Sequence, residues 1–282
     1  MSDATTPPVA TPTAATPSAA SPADWRPGDD RAAPVFRSTL AQAAMELRLT
    51  ARRGENLLVT LVIPVVLLLF FGAVRVLPSD TVDAASRPID VLLPGILALA
   101  IISTSLVNLG IATAYERSYG VLKRLGGSPL PRSGLIAAKM LAILVVELVQ
   151  LVLLVGIAVA AFGWTPGTGS SAALVVAAVL LGTLAFAGLG LLMAGALRAE
   201  ATLAGANGLY LVFLLLGGII VPVDKLPGVL GDLAQLLPAG ALSGALRIGL
   251  GGATGDATGP VLLLALWGLV AAGLAARTFR WD

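Results

Sequence analysis

The chain has 282 residues, of which 57% are hydrophobic and only 12% charged, a balance far from that of a water-soluble domain. Histidine and cysteine are absent, which excludes disulfides, thiolate chemistry, Cys/His metal centres and a histidine general base. The formal net charge of +2 is small, and in so apolar a chain a basic excess points to loops facing anionic lipid rather than to nucleic acid. An all-α integral membrane protein is expected. Arginine greatly outnumbers lysine, and Ala, Gly, Leu and Val dominate, as in a GC-rich bacterial genome.

Residues 1–33 are mainly Pro, Ala, Thr and Ser, with no hydrophobic run and no basic start, and read as a disordered cytoplasmic tail. From Pro34 the pattern changes. Phe36, Leu40, Ala43, Leu47 and Ala51 recur at three- and four-residue intervals while Arg37, Gln42, Glu46, Arg48, Arg52 and Arg53 fall largely elsewhere. Residues 34–54 therefore predict an amphipathic helix lying at the membrane interface.

Residues 55–282 read as a transmembrane domain. The first apolar run, Leu57 to Leu77, is long enough at 1.5 Å per residue to cross a hydrocarbon core of about 30 Å. Pro64 lies inside it and removes a backbone bond that neighbouring helices must repair. Further spans are expected at Ile89 to Ala114, Leu135 to Phe162, Ala172 to Leu197, Ala201 to Val221 and Pro260 to Ala276, giving about six on the length criterion. Between the fifth and sixth lies Pro222 to Leu250, broken by Pro and Gly into pieces of about 10 to 14 residues, as expected of re-entrant or interfacial helices, the alternative being a seventh, poor span.

Lys and Arg cluster before the first span, in the loop from Tyr115 to Lys139, at Arg198 and in the tail. The positive-inside rule then makes both termini and that loop cytoplasmic and puts residues 222–250 on the outer side.

No G-x-x-x-x-G-K-[ST] phosphate loop is present, and no cluster of acids within a span suggests a metal site. Glu147 stands in the middle of an apolar run, with Gln150 three residues on and hence on the same side of the third span. An ionisable group at membrane depth costs at least about 2–3 kcal/mol and usually faces a bundle interior or a water-filled path. Glu147 is thus either part of a transport path or subunit contact, or a structural acid satisfied by hydrogen bonds. Asn108 and Asn207 are weaker polar candidates, and Tyr210 and Phe213 are candidates for lining an apolar path or for packing. The pairs Gly190/Ala194 and Ala204/Gly208 have the small-xxx-small spacing that lets membrane helices approach closely.

The loop from Tyr115 to Lys139 combines a charged exit, a short helical piece around Gly120 to Leu125 and a proline stop. Its pattern E-R-x-x-G-x-L-K-R-L-x-x-S-P-L, from Glu116 to Leu130, resembles the coupling-helix region of ABC-2 type ABC transporter permeases. The segment P-x-x-x-L-P-x-x-L-x-x-L-A-x-L-L-P, from Pro222 to Pro238, with Ala245-Leu246-Arg247 after it, resembles the re-entrant region of the same family, including daunorubicin-exporter-like members. The pattern departs from the family's at Ser118, where a second acid is frequent, and at Val121, where Thr is frequent.

The resemblance implies a type V exporter-like, non-catalytic permease subunit in the bacterial cytoplasmic membrane. It further implies pairing with a second copy or a paralogous permease, and service by a separate ATP-binding cassette ATPase that holds the ATP and Mg, with no cofactor in this chain. Glu116, Arg117, Gly120, Leu122, Lys123, Arg124 and Leu125 would meet that ATPase, apolar residues in its cleft and basic ones at the rim. The implied activity is export of a hydrophobic or amphipathic drug, antibiotic or lipid. Alternatives are export of a lipid-linked polysaccharide, a proton-coupled secondary transporter using Glu147, and a membrane scaffold that recruits a soluble partner.

Overall fold

The computed structural model describes residues 34–52, 54–74, 87–125, 131–219 and 227–278. The tail expected over 1–33, the linker after the first span and the start of the expected re-entrant region lie outside these residues. Every regular element among the described residues is helical. In chain order they are α1 (Val35–Arg52), α2 (Gly54–Ala73), α3 (Pro88–Ile102), a π-helical segment (Ser103–Asn108), α4 (Leu109–Ser118), α5 (Val121–Leu125), α6 (Arg132–Phe162), α7 (Ala172–Ala196), α8 (Ala199–Leu216), α9 (Gly228–Leu236), α10 (Pro238–Gly249) and α11 (Thr258–Thr278).

Among the described residues, five helical stretches are long and apolar enough to cross a membrane: Pro88–Ser118, Ser133–Phe162, Ala172–Ala196, Ala199–Leu216 and Thr258–Arg277. They coincide with the second to sixth expected spans. The first expected span falls on α2, a helix of 20 residues with Pro64 inside it. Within residues 222–250, α9 and α10 meet at 82°, a sharp bend that follows from Pro238 opening the second helix.

α3 is the centre of the bundle: Ile89 and every residue from Val91 to Ile102 are buried, as an all-round apolar sequence requires. α10, α2 and α6 pack around it, and α7 joins α3 and α4 to α11. Two glycines make close crossings possible. A Cβ on Gly95 would stand 1.9 Å from the Ile219 carbonyl oxygen, so only Gly lets the end of the α8 turn rest on α3. A Cβ on Gly190 would stand 2.8 Å from the Leu106 carbonyl oxygen, which fixes where α7 crosses the π-helical segment. Ala194, one turn on, is fully buried beside Ala114, whereas Ala204 and Gly208 face outwards.

Several helix ends are closed by side chains from other elements, buried or half-buried at α10 and exposed at Arg87 and Trp267. Arg87 donates to the Gly163 carbonyl (3.1 Å) at the end of α6. Ser243 and Arg247 of α10 donate to the Gly217 and Gly218 carbonyls (2.6 and 2.9 Å) beyond α8. Trp267 of α11 donates its indole N–H to the Leu236 carbonyl (3.0 Å) at the end of α9. At the start of α11, Asp256 accepts from the Thr258 N–H and hydroxyl, which holds its carboxyl below the ordinary aspartate value.

α1 packs on α6, yet not through the apolar residues that its periodicity suggests. Of Phe36, Leu40, Ala43, Leu47 and Ala51, only Ala43 is buried. Ser38, Thr39, Gln42, Glu46 and Thr50 are partly covered, while Val35, Phe36, Leu40, Met45 and Leu49 are exposed. The inward side of the helix carries Ala43, Leu47 and the polar set around Glu46, while the outward side mixes exposed apolar residues with Arg37, Arg48 and Arg52, as at a lipid–water boundary.

Candidate functional site

Two polar features stand out in the apolar bundle, and both are built on the continuous Pro88–Ser118 stretch. The first is a buried belt at the π-helical segment. Such a segment accommodates one extra residue in the turn and re-aims side chains. Here it presents Thr104, Ser105 and Asn108 towards α2, α6 and α7. Thr104 donates its hydroxyl to Gln150 Oε1 (2.9 Å), and Gln150 Nε2 donates to the Thr60 carbonyl (2.8 Å). That carbonyl would ordinarily accept from the residue four positions on, which is Pro64 and has no N–H. Gln150 therefore repairs the bond that the proline removes. Asn108 donates to the Thr60 hydroxyl (2.6 Å).

Glu147 is fully enclosed in the same belt. The Ser105 hydroxyl donates to its Oε1, and the Thr183 hydroxyl of α7 to its Oε2 (2.5 Å). Both carboxylate oxygens thus have partners from different helices. The three-residue spacing of Glu147 and Gln150 does put them on one side of α6, and that side meets the π-helical segment.

The second feature is a charged cluster one end further along. Lys139, in the second turn of α6, donates to Glu116 of α4 (2.6 Å) and to Glu46 of α1 (3.1 Å). Gln42 Nε2 donates to Glu46 Oε1 (2.9 Å). Arg117 turns the other way, donating to the Gly195 carbonyl (2.5 Å) and to the Leu197 carbonyl at the end of α7, where its positive charge also suits the helix dipole. Three helices are thereby tied to α4 just before it ends.

Gly120 makes the turn into α5 with φ +71°, a left-handed conformation that favours glycine. In α5, Leu122 is fully buried within its own chain. Tyr119, stacked on Tyr115 with ring centroids 6.0 Å apart, is 73% exposed, and Val121, Lys123 and Arg124 are exposed with it. The side chain of Leu125 lies outside the described residues.

Between the belt and the cluster lies a cavity of about 530 Å³, bounded by α1, α4, α6 and α8. Glu46, Glu116 and Lys139 stand at one end, Thr104 and Asn108 at the other, with Leu109, Ala112, Ile143, Val146 and Leu203 along the wall. Of the other candidates, Asn207 is exposed and donates to the Leu203 carbonyl of its own helix (2.8 Å). Phe213 is buried edge-on against Phe186, centroids 5.5 Å apart, and Tyr210 is half-buried against the same core. Neither aromatic lines this cavity.

Sequence reasoning did not single out Thr60, Thr104, Ser105, Thr183 or Glu46. The one visible signal was the polar trio Ser103-Thr104-Ser105 inside an otherwise apolar run.

Comparison with known proteins bears on both features. The sequence profile described as ABC-2 type transporter matches residues 38–250, which takes in most of α1, the belt, the cluster and α10. A protein of Bacillus subtilis (strain 168) named "Putative transport permease YvfS" is 26% identical over 201 residues, covering 70% of this chain and 79% of that relative.

Proposed function

The chain belongs to the ABC-2 type transporter family, and from that premise we propose that it is the membrane subunit of an ATP-driven exporter whose ATP is hydrolysed by a separate ATP-binding cassette subunit. It is a multi-pass membrane protein with a transport permease role. In the proposed arrangement six spans cross a bacterial cytoplasmic membrane, with both termini and the α4–α5 turn on the cytoplasmic side and residues 222–250 re-entrant from outside. A second permease copy completes the path, and the cargo is a hydrophobic or amphipathic drug, antibiotic or lipid.

The observation that carries this reading is the construction of the α4–α5 corner. Leu122 seats α5 on its own chain, and the Lys139 pairs and Arg117 bonds fasten α4 to α1, α6 and α7. What is left outward is Lys123 and Arg124, a basic rim suited to a cleft in a partner, with Tyr119 and Val121 exposed beside it at the mouth of the cavity. A fastened corner transmits a rigid-body push.

Co-expression with ATP-binding cassette ATPases and co-purification tests the reading. Lys123→Glu on the exposed side of α5, outside the cavity lining, is expected to leave insertion and thermal stability intact while abolishing ATPase association. Unchanged association, or transport that persists with ATP depleted, refutes it.

A further inference from the structure

We propose that the cavity bounded by α1, α4, α6 and α8 is a binding site for a monovalent organic cation with an apolar body. As a statement about cargo it rests on the permease reading; as a statement about binding it stands on the cavity alone.

The charged end of the cavity does not balance. Glu46 and Glu116 bring two carboxylates, and Lys139 brings one ammonium, already held at 2.6 Å by Glu116 and at 3.1 Å by Glu46. One formal negative charge is left over at a partly covered site. Such a charge is costly beside an apolar wall and is relieved by a cation. No other charged residue lines the cavity among the described residues. Arg117 is turned to the Gly195 and Leu197 carbonyls, and Arg48 and Arg52 are exposed on α1.

The other walls decide which cation. Tyr115 and Tyr119 line the same end and present stacked rings, whose faces attract a poorly hydrated organic cation. From Glu116 the cavity runs back to Asn108, eight residues along one helical stretch and hence about 12 Å at the helical rise, past Leu109, Ala112, Ile143 and Val146. That length of apolar wall suits a hydrocarbon or aromatic body rather than a hydrated metal ion. The volume of about 530 Å³ lies in the range of sites that enclose a drug-sized molecule.

Tetraphenylphosphonium and tetraphenylborate, near-identical in shape and opposite in charge, separate charge selection from simple partitioning. Binding of each to the full-length protein in phosphatidylcholine nanodiscs is measured by calorimetry against empty nanodiscs. The expected result is saturable binding of the phosphonium alone, weakened about tenfold by Glu116→Gln and about threefold by Tyr119→Leu. Ala112→Trp, which fills the cavity without touching the charges, is expected to abolish it. Equal saturable binding of both ions, no saturable binding, or full binding in Ala112→Trp overturns the site. ATP-driven movement of any cargo in proteoliposomes with an ATPase subunit is scored separately. If movement survives while the site fails, the permease reading stands; charge-selective binding without movement supports the site and removes its role in transport.

Discussion

Lys139 is the single residue whose removal should unfasten the charged end of the bundle. Its side chain is 4% exposed, against 12% for Glu46 and 15% for Glu116. At 3.1 and 2.6 Å and an effective dielectric of about 20, the two attractions are worth about 5 and 6 kcal/mol before desolvation. Desolvating the ammonium offsets several kcal/mol of that. Lys139→Met removes the attraction and leaves two carboxylates facing one another in a partly covered site. Losing one partner of such a cluster costs about 3–5 kcal/mol, and for a domain of this size that corresponds to a fall in melting temperature of roughly 6–12 °C. Thermal unfolding in nanodiscs measures the loss, and hydrogen exchange locates it: protection should fall first in α1, which Glu46 ties to α6. The triple variant Lys139→Met, Glu46→Gln, Glu116→Gln should recover most of the stability, because neutral groups of similar volume replace a buried ion cluster at little net cost. A Lys139→Met protein within about 1 kcal/mol of the parent, with α1 still protected, would show that the cluster is too well solvated to matter and refute the reasoning.

Gln150→Leu should cost about 1–3 kcal/mol, because it removes the bonds to the Thr60 carbonyl and from the Thr104 hydroxyl together. In a Pro64→Ala background the restored N–H can take that carbonyl, so a double-mutant cycle on unfolding free energy should show the penalty shrink; additive losses would mean Gln150 does not repair the proline. Gly95→Ala should destabilise by about 3 kcal/mol or more, since its Cβ would meet the Ile219 carbonyl oxygen at 1.9 Å. Gly208→Ala, in open space on α8, should instead gain about 0.5–1 kcal/mol, and a similar response at the two positions in the same melts would contradict the crossing described here.

The spans were readable because an apolar run of about 20 residues admits few other fates, and Glu147 with Gln150 was readable because polarity inside such a run is conspicuous. Their partners were not. Thr60, Thr104, Ser105 and Thr183 are small hydroxyl residues of a kind common in membrane helices. Which of them matters depends on helix rotation and on a π-helical turn that no local pattern announces. Leu122 and Val121 could not be ranked either, since adjacent apolar residues on a short helix differ only in which one its own chain covers.

α1 shows the deeper reason. In water, the apolar stripe of a helix identifies the side that meets the core, because that side alone escapes the solvent. Where lipid is available the inference weakens, since hydrocarbon solvates an apolar side chain as well as a protein interior does. What then chooses the inward side is the group that lipid cannot satisfy. On α1 that group is Glu46, which finds Lys139 and Gln42, and Thr39 and Thr50 share its side while Phe36, Leu40 and Met45 face out. The same rule orients α6, where Glu147 and Gln150 turn inward while Leu148, Val149 and Val152 stay exposed. Polar residues, sparse as they are in this chain, therefore carry more information about helix orientation than the apolar majority, and the two polar clusters on the Pro88–Ser118 stretch are where that information converges.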